Sequence, residues 1–278
     1  MNNSNTIFFT SCDNNYIKYA IVSLLAIRDY DREAHLAIIS NKITEENRLL
    51  LQKSNIEYYS LDMSNSFSPQ PNYPEECFYW FAGPELFFKK NYRYSVYLDA
   101  DVICSKYPYL NTGPTGIAGV AIDETEKIFG TDIVIIKKLY KCSKNNLTRR
   151  RINAGVIYFN NSFAFKKHLL ANAKNIFLEC ANHGIPRKGD DSLFALFQLL
   201  YCKDRDIRYL CSRYNYIPSI HSDLRAAYSS VFFHFSPINK PWAKGESAPY
   251  QIFYRRWRKK YFLVNPLQFA KDILLPKK

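Results

Sequence analysis

The sequence has no apolar run as long as the roughly 20 residues that a transmembrane helix needs. Its first four residues lead straight into a short apolar segment, without the basic region and long apolar stretch of a signal peptide. The seven cysteines are odd in number and none forms a Cys-Xaa-Xaa-Cys pair, so neither a disulfide framework nor a zinc site is indicated. We therefore expect a cytoplasmic protein, with peripheral contact to the inner face of the membrane as a further hypothesis.

Acidic residues are also few, because 25 Asp and Glu stand against 38 Lys and Arg and leave a net charge of +13. This balance indicates an anionic partner, which can be a nucleotide, a nucleic acid or a membrane surface. The chain is 47% hydrophobic and 16% aromatic, which excludes a disordered protein. Its 278 residues are enough for one α/β domain with a sizeable core.

Short apolar runs alternate with helical patterns in the first half of the chain. Strands are predicted at residues 7–10, 36–39, 56–61 and 95–98, and helices at 16–27, 44–53 with Thr44 as N-cap, and 74–88 around Pro84. This alternation predicts a mostly parallel sheet with helices on both faces. Ligands bind beyond the carboxyl ends of the strands in such sheets, so residues 11–16 and 99–101 are where we expect the chemistry.

The second half is less regular and ends in a distinct composition. Strands are predicted at residues 117–122 and 156–159, and helices at 163–181 and 192–201. From Tyr250 the chain becomes aromatic and basic, and Pro266 is expected to separate two short helices. We therefore divide the chain into a domain of residues 1–249 and a C-terminal extension of residues 250–278.

Two carboxylates leave the end of the fourth predicted strand, at Asp99 and Asp101 in the segment Tyr-Leu-Asp-Ala-Asp-Val of residues 97–102. At a turn, both carboxylates can converge on one cation. Mn²⁺ and Mg²⁺ prefer oxygen ligands, and a diphosphate can supply the rest of the shell. A solvated turn is the alternative, and the position directly after a core strand supports the metal interpretation.

Two further segments carry polar groups. His234 begins a segment that reaches Lys240 and Trp242, in which the imidazole can be a third metal ligand and the lysine can neutralise a phosphate. His234 could equally be a hydrogen-bonded core histidine. Asn153, Ala154 and Gly155 precede an apolar strand, where small residues would allow a polar ligand to approach or would form an ordinary turn.

Together these segments resemble glycosyltransferase family 8, which includes bacterial lipopolysaccharide galactosyl- and glucosyltransferases and glycogenin. Residues 11–16 resemble the family's first nucleotide-binding loop, Asp123 falls at its acidic residue near the acceptor, and residues 189–191 fall at its polar loop beside the sugar. The matches run in order from residue 6 to about 242. The resemblance implies an α/β fold of the GT-A type, a single domain with a Rossmann-like, mostly parallel sheet flanked by helices.

The resemblance also implies a role for each matching residue. The metal, Mn²⁺ or Mg²⁺, would be held by Asp99, Asp101 and His234. The UDP-sugar would be bound by Asp13, Asn15, Tyr16, Asp99, Ala100, Ala154 and Lys240, with Tyr16 stacked on the base and Lys240 at the diphosphate. The catalytic residues around the sugar and the acceptor would be Asp190, Asp191, Asn153 and Asp123.

Three positions depart from the family pattern. Pro237 replaces a glycine whose backbone N–H can meet phosphate, and proline has no N–H. Residues 77–84 contain no arginine, which the family places near the donor. The family's Asp-Gln-Asp loop here reads Gly189, Asp190, Asp191. These departures affect the donor sugar and the catalytic detail, whereas the three implied metal ligands are all present.

The implied reaction moves a hexose, galactose or glucose, from a UDP-sugar to a hydroxyl of a surface glycan such as lipopolysaccharide or capsule, with retention of configuration. A double displacement would need a carboxylate such as Asp190 on the β-face of the anomeric carbon. Front-face substitution, in which the leaving phosphate accepts the proton, is the alternative. A catalytically inactive sugar-nucleotide binder is a further interpretation.

The basic, aromatic extension allows several interpretations. It could track a nucleic acid backbone, although a terminal cluster on an enzyme-like chain leads us to expect no nucleic acid partner. We prefer contact with an anionic membrane through Trp257, Tyr261, Phe262 and Leu263, which would suit a lipid-linked glycan acceptor. In that case removal of the extension should leave UDP-sugar hydrolysis largely unchanged. An ordinary solvated helix face, or packing of the extension on the body, are the other outcomes.

Overall fold

A computed structural model describes residues 5–63, 67, 75–124, 129–142, 147, 149–185, 189–236, 238, 240–243 and 249–274. The strands in this part of the chain are β1 (Thr6–Ser11), β2 (His35–Ser40), β3 (Glu57–Ser60), β4 (Tyr94–Leu98), β5 (Val102–Cys104), β6 (Ile117–Glu124), β7 (Arg150–Asn160), β8 (Ile207–Leu210) and β9 (Phe232–His234).

The α-helices are α1 (Ile17–Leu25), α2 (Glu45–Lys53), α3 (Gly83–Lys89), α4 (Ile133–Tyr140), α5 (Asn161–Lys166), α6 (Leu169–Asn182), α7 (Asp190–Tyr201), α8 (Leu224–Tyr228), α9 (Gln251–Val264) and α10 (Pro266–Phe269). Short 3₁₀ segments lie at Ile27–Asp29, Glu75–Ala82, Gly130–Asp132, Asp204–Asp206 and Ser212–Tyr214, and a π-helical turn lies at Ala270–Leu274.

Seven strands form the central sheet in the order β3-β2-β1-β4-β7-β6-β8. The neighbours from β3 to β4 are parallel, as are β6 and β8. Strand β7 runs antiparallel to both β4 and β6. The sheet is therefore mostly parallel, as the sequence predicts, with one reversed strand that the alternation of runs and helices does not reveal.

Side chains alternate across the sheet and feed two separate cores. In β1, Ile7 and Phe9 point to one core and Phe8 to the other, and all three are fully buried. The first core packs the sheet against the 3₁₀ segment Glu75–Ala82 and helices α3, α6 and α7. The second packs it against α1, α9 and the small sheet of β5 and β9. Helices on both faces are thus confirmed.

Local signals place several elements where they are predicted. The Thr44 side chain caps α2 by accepting from the backbone N–H of Asn47 at 3.3 Å. Pro84 lies in the first turn of α3, where its missing N–H costs nothing. The predicted helix at 74–88 is 3₁₀ up to Ala82, and Pro74 lies outside the described residues. The predicted helix at 163–181 divides into α5 and α6 around His168, which has a φ of +46°.

The beginning of the C-terminal extension packs on the body. Helix α9 contacts α1 and buries Phe253, Tyr254, Trp257 and Tyr261 in the second core. Trp257 and Tyr261 are therefore unable to contact a membrane, in contrast to the sequence-based expectation, whereas Phe262 and Leu263 remain exposed. Within the described residues, no helix combines the length and apolarity needed to cross a membrane.

Candidate active site

The two carboxylates of the Asp99–Asp101 segment lie at the carboxyl edge of the central sheet. The chain leaves β4 in a tight turn, closed by the Val102 N–H donating to the Asp99 carbonyl at 3.1 Å. The Asp99 N–H donates to the Gly155 carbonyl at 3.0 Å and ties this turn to β7. The turn holds both side chains at the place where ligands bind in sheets of this kind.

His234 reaches this turn through the small sheet of β5 and β9. Strand β5 begins directly after Asp101 and pairs antiparallel with β9, with Val102 opposite His234. The Phe235 N–H also donates to the Asp101 carbonyl at 3.0 Å. This pairing positions a residue from late in the chain beside the Asp99–Asp101 turn.

The three side chains form one compact cluster. Nε2 of His234 lies 3.3 Å from Oδ1 of Asp101 and 3.5 Å from Oδ2 of Asp99. One ligand atom from each residue falls within 4.8 Å of the others. Oxygen ligands lie roughly 2–2.6 Å from a divalent cation, so groups at this spacing can share one ion. Two carboxylates and an imidazole are also a donor set that Mn²⁺ accepts, and the residues present fit such a metal.

Gly155 makes room for the imidazole. A Cβ atom at position 155 would lie 2.3 Å from Cε1 and 2.4 Å from Nδ1 of His234, so any side chain would displace the ring. The segment from Asn153 to Gly155 lies within β7 and is not the turn that the sequence suggests. Gly155 therefore makes room for the histidine of the cluster.

The charges of the cluster are unevenly distributed. Burial opposes ionisation of Asp101, but His234 and Lys240 outweigh it and hold the pKa of that carboxyl well below its usual value. The Lys240 ammonium is bonded directly to Oδ2 of Asp101. Burial raises the pKa of Asp99 to about 6, although the nearby His234 lowers it. Burial likewise opposes the imidazolium, but the two aspartates prevail and raise the pKa of His234.

Asp190 and Asp191 stand at the start of α7, near the cluster of Asp99, Asp101 and His234. The Trp80 indole N–H donates to Oδ2 of Asp190 at 2.8 Å. Burial, then the charges of Asp191 and Asp99, raise the pKa of Asp190 to about 8. Asp191 accepts from the Ala154 N–H at 2.9 Å. The Trp80 indole therefore helps to hold Asp190 near the cluster, and the carboxyl resists ionisation.

A cleft of about 550 Å³ joins these groups. Its lining includes most of the residues that the resemblance implicates, namely Asp13, Tyr16, Asp99, Ala100, Asp101, Ala154, Asp190, Asp191 and Lys240. His234 lies beneath the floor, with 5% of its side chain exposed. The carboxylates of Asp99, Asp101, Asp190 and Asp191 thus share the cleft with Lys240 and the exposed Tyr16.

Three of the implicated residues are placed differently. Asn15 is exposed, and its N–H donates to the Asp13 carboxylate at 2.8 Å, so the residue serves the turn and does not line the cleft. Asn153 is buried and its Oδ1 accepts from the Gly155 N–H and from Asn215, so it braces the site from below. Asp123 lies in β6, and its side chain is outside the described residues.

The cleft also contains residues that the sequence analysis did not assign. Trp242 lines it and stacks on Tyr19 with ring centroids 4.3 Å apart, while Tyr16 meets Trp242 edge-on. Tyr97 donates to Oδ1 of Asp99 at 2.6 Å. The sequence analysis assigns no role to Trp242, although a tryptophan two residues after a lysine that is proposed to contact phosphate is suited to a base.

A mostly parallel α/β sheet with an Asp-Xaa-Asp turn and a histidine at its carboxyl edge is the arrangement of a GT-A glycosyltransferase. The profile of Glycosyl transferase family 8 matches residues 7–246. The chain therefore belongs to glycosyltransferase family 8, whose GT-A enzymes typically use a divalent metal and a UDP-sugar. Among curated proteins, no sequence matches this chain.

Solved structures share the fold. The galactosyltransferase LgtC, in complex with donor and acceptor sugar analogs, matches 96% of this chain and 99% of its own, with 18% identity and a TM-score of 0.67. The WbbM bifunctional glycosyltransferase matches 97% of this chain, with 15% identity and the same TM-score, and this chain spans 52% of its length. GlyE of Streptococcus pneumoniae TIGR4 matches 97% of this chain and 64% of its own, with 16% identity and a TM-score of 0.60.

Proposed function

We propose that the chain is a metal-dependent, retaining hexosyltransferase, which moves galactose or glucose from a UDP-sugar to a hydroxyl of a surface glycan. The observation that carries this proposal is the cluster of Asp99, Asp101 and His234 at the floor of a cleft that also holds Lys240 and Asp190. An Mn²⁺ or Mg²⁺ ion held by the cluster would offset the charge that grows on the departing diphosphate.

The residues around Tyr16 in the cleft are suited to a nucleotide. Tyr16 and Trp242 offer ring faces or edges for the base, and Tyr16 is 44% exposed. Lys240, beside Asp101, supplies positive charge for the diphosphate. The Asp13 carboxylate accepts from the N–H groups of Asn15 and Tyr16 at 2.8 and 3.0 Å, which fixes the loop beneath the base.

The two possible routes to retention, double displacement and front-face substitution, require different things of Asp190. As a nucleophile it must be ionised, and since its pKa lies at about 8 in the free protein, kcat/KM should rise with pH through that value. Asp190→Asn would then abolish turnover and keep UDP affinity. Turnover that survives in Asp190→Asn would favour front-face substitution, in which Asp190 only contacts the sugar.

Hydrolysis of a UDP-sugar panel tests the proposed activity, because slow hydrolysis needs no acceptor. Wild type with Mn²⁺ should release UDP from UDP-galactose or UDP-glucose, and chelation or Asp101→Asn should abolish release while the fold is kept. UDP binding without turnover would instead support the inactive sugar-nucleotide binder. Absence of UDP binding in the presence of metal would contradict both.

The structure gives less support to a nucleic acid partner than the sequence alone does. Stacking on bases would need the aromatic residues of the basic run, but Tyr254, Trp257 and Tyr261 are fully buried. The acceptor that we propose is a glycan or a lipid-linked glycan at a membrane surface, as the exposed cations of the same run suggest.

A further inference from the structure

His234 has a ring nitrogen that faces away from the carboxylates of the cluster. Its Nε2 atom lies 3.5 Å from Asp99 and 3.3 Å from Asp101. The other nitrogen, Nδ1, is buried and has no hydrogen-bond partner among the described residues. A histidine that binds a cation through Nε2 carries its proton on Nδ1, and that N–H then needs an acceptor inside the protein.

A second buried polar atom without a partner belongs to the Asn215 side chain. Asn215 is fully buried and directly follows the 3₁₀ segment Ser212–Tyr214. Its Nδ2 donates to Oδ1 of Asn153 at 2.7 Å, whereas its own Oδ1 accepts from no donor within the described part of the chain. Burial of an amide oxygen without a hydrogen bond is unfavourable, and buried polar atoms are seldom left so. Asn215 thus offers a buried acceptor, and His234 a buried donor.

Backbone pairing places the side chains of Asn215 and His234 on the same face of β9. The Tyr216 N–H donates to the Phe232 carbonyl, and the His234 N–H donates to the Tyr216 carbonyl, both at 2.9 Å. Tyr216 and Phe233 are paired in parallel and stack with ring centroids 5.8 Å apart, so their side chains share one face. Because side chains alternate along extended chain, those of Asn215 and His234 lie together on the opposite face.

The segment from Asn153 to Gly155 borders the same face. A Cβ atom on Gly155 would lie 2.4 Å from Nδ1 of His234 and 2.9 Å from Oδ1 of Asn153, so both atoms adjoin one small volume. The Asn153 oxygen already accepts from the Gly155 N–H at 2.9 Å and from Asn215, which uses both of its lone pairs. The adjacent Asn215 oxygen is therefore the acceptor that remains for His234 among these described groups.

We propose that Asn215 is a positioning residue for the metal ligand His234. Its amide oxygen accepts the Nδ1–H of the imidazole, directly or through one buried water, and so leaves Nε2 without a proton and aimed at the cation. Gly155 provides the space for the ring, and Asn153 holds the Asn215 amide in place. The inference rests on the proposed function, because it concerns a ligand of the metal that the transferase would use.

Substitutions at Asn215 test this role through metal affinity, measured by electron paramagnetic resonance of Mn²⁺ in saturating UDP. Asn215→Leu keeps the volume and removes the acceptor, so Mn²⁺ should bind on the order of 10–100-fold more weakly. Asn215→Asp keeps an acceptor oxygen and should recover most of this loss. UDP affinity without metal should stay near that of wild type in both variants.

Asn161→Leu is the matched control for the loss of a buried amide. Asn161 is also fully buried, and its side chain bonds to Ser95 and Tyr92 at 2.6 and 2.9 Å. It follows the end of β7 that pairs with the start of β4, away from the turn at Asp99. This variant should lower Tm without changing Mn²⁺ affinity.

Nitrogen resonances of the imidazole rings test the same bond in the wild-type chain. The sequence has five histidines, so the signals of ¹⁵N-labelled protein can be assigned with His234→Gln. With UDP and the diamagnetic Mg²⁺, His234 should carry its proton on Nδ1, protected from exchange with water. Asn215→Leu should lose that protection.

Three results would overturn the proposal. Unchanged Mn²⁺ affinity in Asn215→Leu would show that the ring needs no support from this residue. Equal losses in Asn215→Leu and Asn215→Asp would assign the effect to packing alone. Both of these results would leave the proposed function intact. A wild-type His234 that keeps its proton on Nε2 in the presence of metal and UDP would contradict the proposed metal site together with this inference.

Discussion

In the proposed site, Lys240 would act on metal binding and nucleotide binding in opposite ways. Its ammonium is bonded to Asp101, a proposed metal ligand, and it repels a second cation there. Lys240→Gln should therefore strengthen Mn²⁺ binding in the absence of nucleotide, by roughly ten-fold for a partly exposed charge. The same variant should weaken UDP binding in saturating Mn²⁺, because a cation near the diphosphate is lost. Calorimetric titration of each ligand measures both effects, and a parallel change in the two would contradict the assignment.

Gly155 affects the proposed metal site although it carries no ligand. Gly155→Ala should push the His234 ring off its position, because the new Cβ would meet the ring at 2.3 Å. We expect loss of Mn²⁺-dependent UDP binding, while metal-independent UDP affinity is reduced little. Ala154→Gly is the matched control, since it changes the neighbouring residue without adding an atom and keeps the N–H that donates to Asp191. Normal metal dependence in Gly155→Ala would show that His234 is not a ligand.

Asp190 should make the stability of the protein depend on pH. Its carboxyl has a pKa of about 8 in the fold, against about 3.9 in an unfolded chain, so the fold keeps a proton that the unfolded state loses. The contribution of protonated Asp190 to the free energy of unfolding is therefore complete below a pH of about 4, and it is lost as the pH rises through about 8. Asp190→Asn should raise Tm on the order of 3 °C at alkaline pH and not at pH of about 4. The exposed Glu33→Gln is the control, and an equal gain at both pH values would contradict the buried-carboxyl explanation.

At the scale of elements, helix α9 is part of the core and supports the cleft. Trp257 is fully buried, and its ring centroid lies 5.8 Å from that of Trp242, which stacks on Tyr19 of α1. Asp272 also connects α9 to α1, because its carboxylate accepts from the hydroxyls of Tyr19 and Tyr261 at 2.9 and 2.7 Å. The sequence-based expectation that removal of the extension leaves hydrolysis largely unchanged is therefore revised, and we expect truncation after residue 249 to weaken both folding and UDP binding.

A pair of substitutions in α9 measures this core contribution. Trp257→Ala should cost about 3–5 kcal/mol of unfolding free energy, since it empties a large buried volume. Lys259→Ala, two residues along on the exposed side, should change the free energy by less than about 0.5 kcal/mol. Urea unfolding gives both values. A small, equal effect of the two substitutions would show that α9 is a loosely attached extension.

The elements that the sequence predicts well are those with strong local signals. Strands β1, β2 and β4 are continuous apolar runs, and α2 has the Thr44 cap with acidic residues in its first turn. Strands β5 and β9 have three residues each, and their pairing depends on a contact between residues more than a hundred positions apart. No local pattern encodes that contact, so the position of His234 beside Asp101 came from the resemblance and not from periodicity.

At the scale of the whole molecule, the sheet topology explains how residues that are distant in the sequence come together in the candidate site. The carboxyl ends of β1 and β4 lie side by side, which brings the loop after Ser11 to the turn at Asp99. This much follows from the predicted parallel order. The predicted parallel order does not reveal the reversed direction of β7. This strand places Ala154 and Gly155 beside the cluster. The family match over residues 7–246 supports the same arrangement.

The proposed metal site of Asp99, Asp101 and His234 is the central claim, and anomalous diffraction at the manganese edge tests it most directly. Crystals grown with UDP and Mn²⁺ should show one strong anomalous peak in the cleft, within roughly 2–2.6 Å of oxygens of Asp99 and Asp101 and of Nε2 of His234. The diphosphate should complete its coordination and the base should lie near Tyr16. A peak elsewhere, or UDP bound in the cleft with no metal beside these three residues, would contradict the proposed function.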